Sequence, residues 1–133
     1  MGEVMKERLP AFQEAVRRLR EVLREPSSDV VRDSAIKRFE MAFEQAWKCL
    51  RLALESEGIL VQSPRESLRQ AFRLGWIEDE RWVRMLEDRN LSVHTYNEEL
   101  AQAIYGRLPL YLELLEALSR FLEERDKADK TRT

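Results

Sequence analysis

Apolar residues recur at intervals of three and four along most of this chain, the spacing that places them on one face of an α-helix. Residues 3–24 are predicted to form a first helix of this kind. Its apolar face holds Leu9, Phe12, Val16, Leu19 and Leu23. A second, longer helix should start after residues 26–29 and end near Gly58. Its apolar face holds Ile36, Phe39, Phe43, Trp47, Leu50 and Leu54.

Two shorter helices are expected next. Ser63, Pro64 and Glu66 have the spacing of a capping box, with a hydroxyl to cap the helix and proline in its first turn. This third helix should end at Gly75, because glycine readily takes the left-handed conformation that follows a helix. The acidic residues 78–80 then lead into a fourth helix. Its apolar residues are Trp82, Met85, Leu86 and Val93.

A fifth helix is predicted to start at Asn97, whose side chain suits an N-terminal cap. Its apolar face holds Leu100, Ile104, Leu108, Tyr111, Leu115, Leu118 and Leu122. Gly106 and Pro109 should bend this helix or divide it, because proline has no amide proton. Residues 126–133 lack apolar periodicity and are expected to be a frayed polar tail. Residues 1–125 should thus form one domain, an all-α, up-and-down antiparallel four-helix bundle with an extra short helix.

The composition agrees with this fold class, because 44% of the 133 residues are hydrophobic, 36% are charged and only four are glycine. A net charge of −2 provides no broad basic surface, so duplex DNA is not an expected partner. The one cysteine, Cys49, cannot form an internal disulfide and should be buried. Without a stretch that resembles a signal peptide or a membrane span, the expected location is cytoplasmic, with no membrane contact.

Several common chemistries lack their local signatures in this chain. The four glycines do not form a phosphate-binding loop, a dinucleotide-binding turn or a nucleophile elbow. The one histidine is preceded by Leu91 at the third position, so the Glu-x-x-His pairs of a dinuclear bundle are absent. We therefore expect neither a metal nor a cofactor.

Candidate chemistry is concentrated in residues 89–96. Arg89 offers a permanent planar cation that suits phosphate, and His94 can exchange protons near neutral pH. If the fourth helix ends at about residues 91–93, His94 and Tyr96 lie on the connecting turn and can point back towards Arg89. One concave site would then hold all three side chains. The alternative is an ordinary helix end, with His94 as a cap.

These residue types suit the cleavage of RNA without a metal. That reaction needs a proton taken from the 2′-hydroxyl, a stabilised phosphorane and a proton given to the leaving oxygen. His94 suits the first role and Arg89 the second, with Asn90 to orient one of them. The general acid stays unassigned because there is one histidine per chain. A twofold homodimer, which brings in a second His94, is therefore expected.

The sequence Arg89-Asn90-x-x-x-His94-x-Tyr96 resembles the Arg-x4-His-x-Tyr motif of HEPN domains, the higher eukaryote and prokaryote nucleotide-binding domains. The flanking residues are similar to one branch of that family, the nucleotidyltransferase substrate-binding proteins. This similarity extends over about residues 30–122. It is carried by residues 38–40, 43–48, 63–66, 86–90 and 96–99.

The resemblance implies a dimeric helical subunit that works with a separately encoded minimal nucleotidyltransferase, as a two-component or toxin-antitoxin module. It also implies that Arg89, His94 and Tyr96 bind nucleotide or RNA. The residues that match Arg89 and His94 serve ribonuclease activity in toxic members, and the tyrosine that matches Tyr96 can accept AMP from the partner. Three functions stay open: a nucleotide- or RNA-binding subunit, an active metal-independent endoribonuclease, and a non-catalytic helical adaptor.

Two further groups of charged residues are candidates for binding. Arg65, Arg69 and Arg73 recur every four residues on the third helix, as a basic ridge that could follow a phosphate backbone or as an ordinary solvated face. Glu40 and Glu44 lie one turn apart on the second helix. They could pair with neighbouring lysines or orient Arg89 from a facing helix.

Overall fold

The computed structural model describes the backbone of residues 2–131 and the side chains of residues 5–131, and within this part it has five α-helices, one 3₁₀ turn and no strand. The helices are α1 (Gly2–Leu23), α2 (Asp29–Ser56), α3 (Pro64–Arg73), α4 (Arg81–Leu91) and α5 (Glu98–Thr131), and the 3₁₀ turn is Ser92–His94. The three long helices α1, α2 and α5 pack on one another. The two short helices complete the bundle, α3 against α2 and α4 against α5. The predicted all-α helical bundle is confirmed.

Side chains cap α3 and α5 at the predicted residues. The Ser63 hydroxyl accepts a hydrogen bond from the Glu66 amide at 3.2 Å, and the Glu66 carboxylate accepts one from the Gln62 amide at 3.0 Å. The Asn97 side-chain oxygen accepts a hydrogen bond from the Leu100 amide at 3.1 Å. Each such cap typically stabilises a helix by about 1 kcal/mol. The start of α5, and with it the length of the turn before it, is therefore set locally.

Glycines end α2 and α3 as predicted. Gly58 and Gly75 have φ angles of 79° and 74°, values that a residue with a Cβ adopts only with strain. After Gly75, the Trp76 amide donates to the Ala71 carbonyl at 2.9 Å, the long-range bond of a Schellman cap. This turn reverses the chain after α3, so that α4 can pack beside it.

The predicted apolar faces meet in one core. Trp47 and Trp82 are both buried in it, and Phe39 stacks on Tyr111 with ring centroids 5.5 Å apart. Burial of each large apolar side chain contributes about 1.5–3 kcal/mol. Cys49 is also buried as expected, and burial raises the pKa of its thiol to about 12. A thiol that stays protonated is a poor nucleophile, so Cys49 is a packing residue.

Helix α5 differs from its prediction in two ways. It runs without interruption through Pro109, so it is not divided into two helices. It also continues to Thr131, so the frayed tail predicted for residues 126–133 is wrong up to that residue, while 132–133 lie outside the described part. The last turns of α5 have no apolar face. Ion pairs between residues four apart support these turns instead. They are Lys127–Glu123 at 3.5 Å, Arg125–Asp129 at 3.3 Å and Lys130–Asp126 at 3.1 Å.

Candidate functional site

The chain changes helix type where α4 ends. After Leu91 it tightens into the 3₁₀ turn, which advances about 120° per residue instead of about 100°. The apolar face of α4 therefore ends before Val93, which is 71% exposed. The prediction that Val93 belongs to that face is wrong. Ser92 is the residue of the turn that is buried.

Ser92 fixes this turn against α2. Its hydroxyl is hydrogen-bonded to the Glu40 carboxylate and also lies 2.7 Å from the Arg89 carbonyl oxygen. The Thr95 hydroxyl donates to the Ser92 carbonyl at 3.1 Å. Glu40 thus holds the turn and does not contact Arg89 through a hydrogen bond or ion pair among the described residues.

Glu44 makes both contacts expected for it, because it holds Arg89 from α2 and also pairs with the neighbouring Lys48. An Arg89 guanidinium nitrogen donates to the Glu44 carboxylate at 2.8 Å, and another donates to Asn90 Oδ1 at 3.2 Å. The Arg89 Cζ atom also lies 5.7 Å from the ring centroid of Phe43. Since a guanidinium has five N–H donors and the Arg89 side chain is 30% exposed, donors remain for a phosphate.

The Glu44 carboxylate is kept ionised by its neighbours. Burial alone would raise its pKa, but hydrogen bonds from Trp47 and Lys48 and the charges of Lys48 and Arg89 hold the pKa below its ordinary value. The Trp47 indole nitrogen lies 3.1 Å and the Lys48 ammonium 3.3 Å from this carboxylate. Glu44 therefore remains a fixed negative partner for Arg89 at neutral pH.

His94 and Tyr96 form a second, exposed pair. The Tyr96 hydroxyl lies 3.3 Å from His94 Nδ1, and either atom can donate, depending on the histidine tautomer. The two rings meet edge to face with centroids 5.8 Å apart. Tyr96 is 83% exposed, so its phenol can be reached by a molecule as large as another protein. His94 Nε2 has no hydrogen bond to any described side chain.

Arg89 and Asn90 lie between two open cavities. The larger, of about 480 Å³, lies between α2 and the end of α4 and is also lined by Lys37, Glu40, Met41, Glu44, Gln45 and Val93. The smaller, of about 200 Å³, lies towards α3 and is also lined by Ser63, Pro64, Arg65 and Leu86. Neither cavity is lined by His94 or Tyr96. The expected concave site around all three side chains is therefore not formed by either cavity of the single chain.

Helix geometry explains this separation of Arg89 from His94. Two α-helical steps followed by three 3₁₀ steps turn the chain by roughly 200°, close to the opposite side. The sequence interpretation assumed that the helix end would loosen, whereas it tightens. Arg89 faces α2, and His94 with Tyr96 lies on the solvent side of the turn.

Asp88, which the sequence interpretation missed, anchors this part of α4. Its carboxylate is 1% exposed, receives two hydrogen bonds from Arg107 at 2.7 and 2.9 Å, and receives one from the Tyr111 hydroxyl at 2.5 Å. Burial and the bond to Asp88 raise the pKa of Tyr111, so its hydroxyl stays a donor. The sequence does hold one clue. Asp88 comes three residues after the buried Met85, where an apolar residue would extend that face.

Two absences are also observed among the residues whose side chains the structure describes, 5–131. No group of three or more His, Cys, Asp and Glu side chains is placed so that it could hold a metal ion. None of the described helices is both long enough and apolar enough to cross a bilayer. The candidate site consists of Arg89, which Glu44 holds, with Asn90 beside it, and of the exposed pair His94 and Tyr96.

The chain belongs to the family of proteins described as nucleotidyltransferase substrate binding protein like, whose profile matches residues 7–124. The match includes α2, α3, α4 and the 3₁₀ turn completely. The family named by the resemblance of residues 89–96 and their flanking blocks is thus confirmed.

Individual relatives agree with this assignment. The chain is 30% identical over 107 residues to "Probable ribonuclease HepT" of Haemophilus influenzae, covering 76% of this chain and 73% of that protein. A crystal structure from Thermus thermophilus is 43% identical, with a TM-score of 0.79 over 84% of this chain and 98% of the other.

Two further solved structures have the same fold. A Haemophilus influenzae structure that reveals the fold of a substrate binding domain of a nucleotidyltransferase is 25% identical, with a TM-score of 0.66 over 92% of this chain and 99% of that one. A chain in the crystal structure of a toxin-antitoxin with AMP-PNP is 17% identical, with a TM-score of 0.75 over 92% and 99% of the two chains. At that identity the similarity shows the fold alone.

Proposed function

We propose that this chain is the nucleotide- or RNA-binding subunit of a separately encoded minimal nucleotidyltransferase, and that Tyr96 accepts AMP from that enzyme. The observation that carries the proposal is the exposed Tyr96 phenol, hydrogen-bonded to His94 at the end of a short turn. Family membership supports the nucleotidyltransferase partner. The shared fold with a chain of a toxin-antitoxin solved with AMP-PNP agrees with a two-component module.

The transfer needs little from this chain beyond a nucleophile and a proton acceptor. The Tyr96 oxygen attacks the α-phosphorus of ATP held by the partner enzyme. A bond from that oxygen to phosphorus forms, the bond from phosphorus to the bridging oxygen breaks, and pyrophosphate leaves. Neutral His94 with an unprotonated Nδ1, 3.3 Å from the phenol oxygen, takes the phenol proton. The product carries a phosphodiester anion beside His94.

Arg89 is assigned the recognition of a nucleotide or RNA phosphate, with Asn90 beside it. The ion pair with Glu44 fixes the direction of the guanidinium before a ligand arrives, which lowers the entropy cost of binding. The remaining N–H donors and the Asn90 amide can then contact phosphate oxygens.

A homodimer is part of the proposal. Met41 and Val93 line the larger cavity beside Arg89 and are 50% and 71% exposed. A second copy that covers these apolar side chains would remove them from water and could bring its own His94 towards Arg89. Sedimentation at working concentration tests this part, and a monomer would contradict it.

The central test is the intact mass of the protein after incubation with its neighbouring nucleotidyltransferase and ATP. We expect a mass gain of one or more AMP units, lost in Tyr96→Phe. Tyr105→Phe is the matched control, because Tyr105 is a partly buried tyrosine whose hydroxyl bonds to Ser27 at 3.2 Å. An unchanged mass in the unmodified chain, or a gain that persists in Tyr96→Phe, would refute the role of Tyr96.

An active metal-independent endoribonuclease is the second candidate. It is favoured by the similarity to a probable ribonuclease and by the exposed His94, whose Nε2 is available to a substrate. In this function His94 transfers the proton, Arg89 stabilises the phosphorane and Asn90 orients one of them. RNA should then be cut in the presence of EDTA by the free protein and by Glu99→Ala, but not by His94→Ala. RNA left intact by the free protein would contradict this candidate.

A further inference from the structure

Three exposed arginines form a ridge along α3, and we call Arg65, Arg69 and Arg73 the α3 ridge. Residues four apart in a helix are about 6 Å apart along its axis and only about 40° apart around it. The three guanidinium groups therefore share one side of α3. Among the described residues none of them has a carboxylate partner, and Arg73 bonds only to Gln70, at 2.7 Å.

The charge of the α3 ridge is not balanced within its own helix. The one acidic residue of α3, Glu66, is engaged in the cap through the Gln62 amide. Elsewhere on the bundle, by contrast, Arg20 and Arg125 lie 2.7 and 2.5 Å from carboxylates. A locally unbalanced positive surface on a chain of net charge −2 attracts an anionic ligand to that place.

The ridge is continuous with the proposed phosphate site. Arg65 lines the cavity of about 200 Å³ together with Arg89 and Asn90. From this cavity the ridge leads outwards along α3, through Arg69 to Arg73. Four arginines therefore follow one path, from the Arg89 guanidinium across the cavity and along roughly 12 Å of helix.

We propose that the α3 ridge binds the sugar-phosphate backbone of single-stranded RNA, one phosphate of which lies at Arg89. The proposal rests on the function proposed above, in which Arg89 takes a nucleotide or RNA phosphate. A ridge one side chain wide can follow one strand, whereas a duplex needs a broader basic surface. RNA fits better than an acidic protein, because the ridge leads directly into the cavity of the phosphate-binding arginine.

The test compares two triple variants with the same change in charge. Arg65→Gln/Arg69→Gln/Arg73→Gln removes the ridge. Arg18→Gln/Arg24→Gln/Arg120→Gln removes three exposed arginines located in α1, just after it and in α5. Glutamine keeps a helix propensity close to that of arginine, so folding should be preserved in both, as circular dichroism and urea midpoints can verify. The probe is a short unstructured 2′-O-methyl RNA, which cannot be cut through its 2′-oxygen.

Affinity is measured as a function of salt concentration. Each phosphate contact of a single strand contributes about 0.7 to the slope of log Kobs against log salt. Loss of three contacts should therefore reduce the slope by about 2 and weaken binding about 100-fold at 0.1 M salt. The control variant should keep the slope and affinity of the unmodified chain. Equal slopes in the ridge variant and the unmodified chain would overturn the proposal.

AMP binding separates failure of the ridge from failure of the nucleotide site. AMP should bind normally to Arg69→Gln/Arg73→Gln, because neither of these arginines lines the cavity beside Arg89. AMP binding should be lost in Arg89→Gln. If the unmodified chain binds AMP and gains AMP at Tyr96 but does not bind the RNA probe, the ridge proposal is overturned and the proposed function stands. If the ridge variant instead loses the nucleotidyltransferase while RNA binding is unchanged, the ridge binds protein and the proposal is wrong. If neither AMP nor RNA binds the unmodified chain, the phosphate site itself is refuted.

Discussion

Two arginine-carboxylate pairs meet at consecutive residues of α4, and they differ in their contact with water. Asp88 is 1% exposed and is held by Arg107, whereas Arg89 and its partner Glu44 have side chains 30% and 35% exposed. The two pairs differ at the carboxylate, because Arg107 is 28% exposed, about as much as Arg89. Loss of Arg107 would leave the Asp88 charge uncompensated in the core. An exposed pair can exchange one partner for water or for a ligand at little cost. The pair with the buried carboxylate therefore fixes the helix, and the exposed pair is the one available for binding.

The largest expected effect is that of Asp88→Ala. This change leaves the buried Tyr111 hydroxyl without its acceptor and removes both hydrogen bonds from Arg107, whose side chain is 28% exposed. Because Arg107 can turn to water, we expect a total cost of about 3 kcal/mol, the upper end for a hydrogen bond to a charged group. The free energy of unfolding, from urea titration, should fall by that amount. Glu87→Ala, at the exposed neighbouring position, should change it little. Equal effects of the two substitutions would show that Asp88 does not stabilise α4 more than the exposed Glu87 does.

Tyr111→Phe should have the second largest effect. It removes the buried 2.5 Å hydrogen bond to Asp88 but leaves the two bonds from Arg107 and the stacking on Phe39. A hydrogen bond to a charged group typically contributes about 1.5–3 kcal/mol. The urea midpoint should therefore lie between those of Asp88→Ala and the unmodified chain. An unchanged midpoint would show that Arg107 alone holds Asp88.

Glu44→Gln tests the exposed pair through its pH dependence. The pKa of Glu44 is lowered in the folded chain, so the ionised carboxylate stabilises the fold at pH values above its ordinary pKa of 4.5. This contribution is lost as the pH falls below that value. Because the pair is partly screened by water, Glu44→Gln should lower the free energy of unfolding at pH 7 by at most about 1 kcal/mol. The difference between the two proteins should shrink as the pH falls through the lowered pKa of Glu44, and a difference that grows on acidification would contradict this assignment.

The smallest effect on stability is expected for His94→Ala. The His94 side chain is exposed, and its one hydrogen-bond partner among the described residues is the exposed Tyr96. The free energy of unfolding should therefore change by no more than about 0.5 kcal/mol. The rate at which Tyr96 gains AMP should nevertheless fall, because the phenol loses its proton acceptor. A large loss of stability would instead place His94 with the structural residues. An unchanged rate would remove it from the transfer step.

The helices and their ends could be predicted from the sequence because the signals are local. Apolar spacing defines the faces, and Ser63, Asn97 and Gly75 act on bonds within a few residues of themselves. The family motif could be found for the same reason, since Arg89 and His94 are close in the sequence. The extension of α5 beyond residue 125 was missed because ion pairs between charged residues leave no apolar pattern.

What could not be predicted depends on contacts between helices and on the helix type at one turn. Asp88 meets Arg107 and Tyr111, which are 19 and 23 residues away, only because α4 packs on α5. The direction of His94 follows from the tightening into a 3₁₀ turn after Leu91, which no single residue type specifies. The residues of the candidate site could thus be chosen from the sequence, whereas their division into two pairs on different sides could not.

Arg89 and His94 lie on nearly opposite sides of one chain, so activity that needs both side chains would depend on protein concentration. A ligand that must contact both side chains at once can be held between two chains, with Arg89 from one and His94 from the other. Below the dissociation constant of such a pair, the number of complete sites grows with the square of the chain concentration. Mixing Arg89→Ala chains with His94→Ala chains would then restore one complete site in each mixed pair. Expression level, and not only sequence, would set the activity of this protein in the cell.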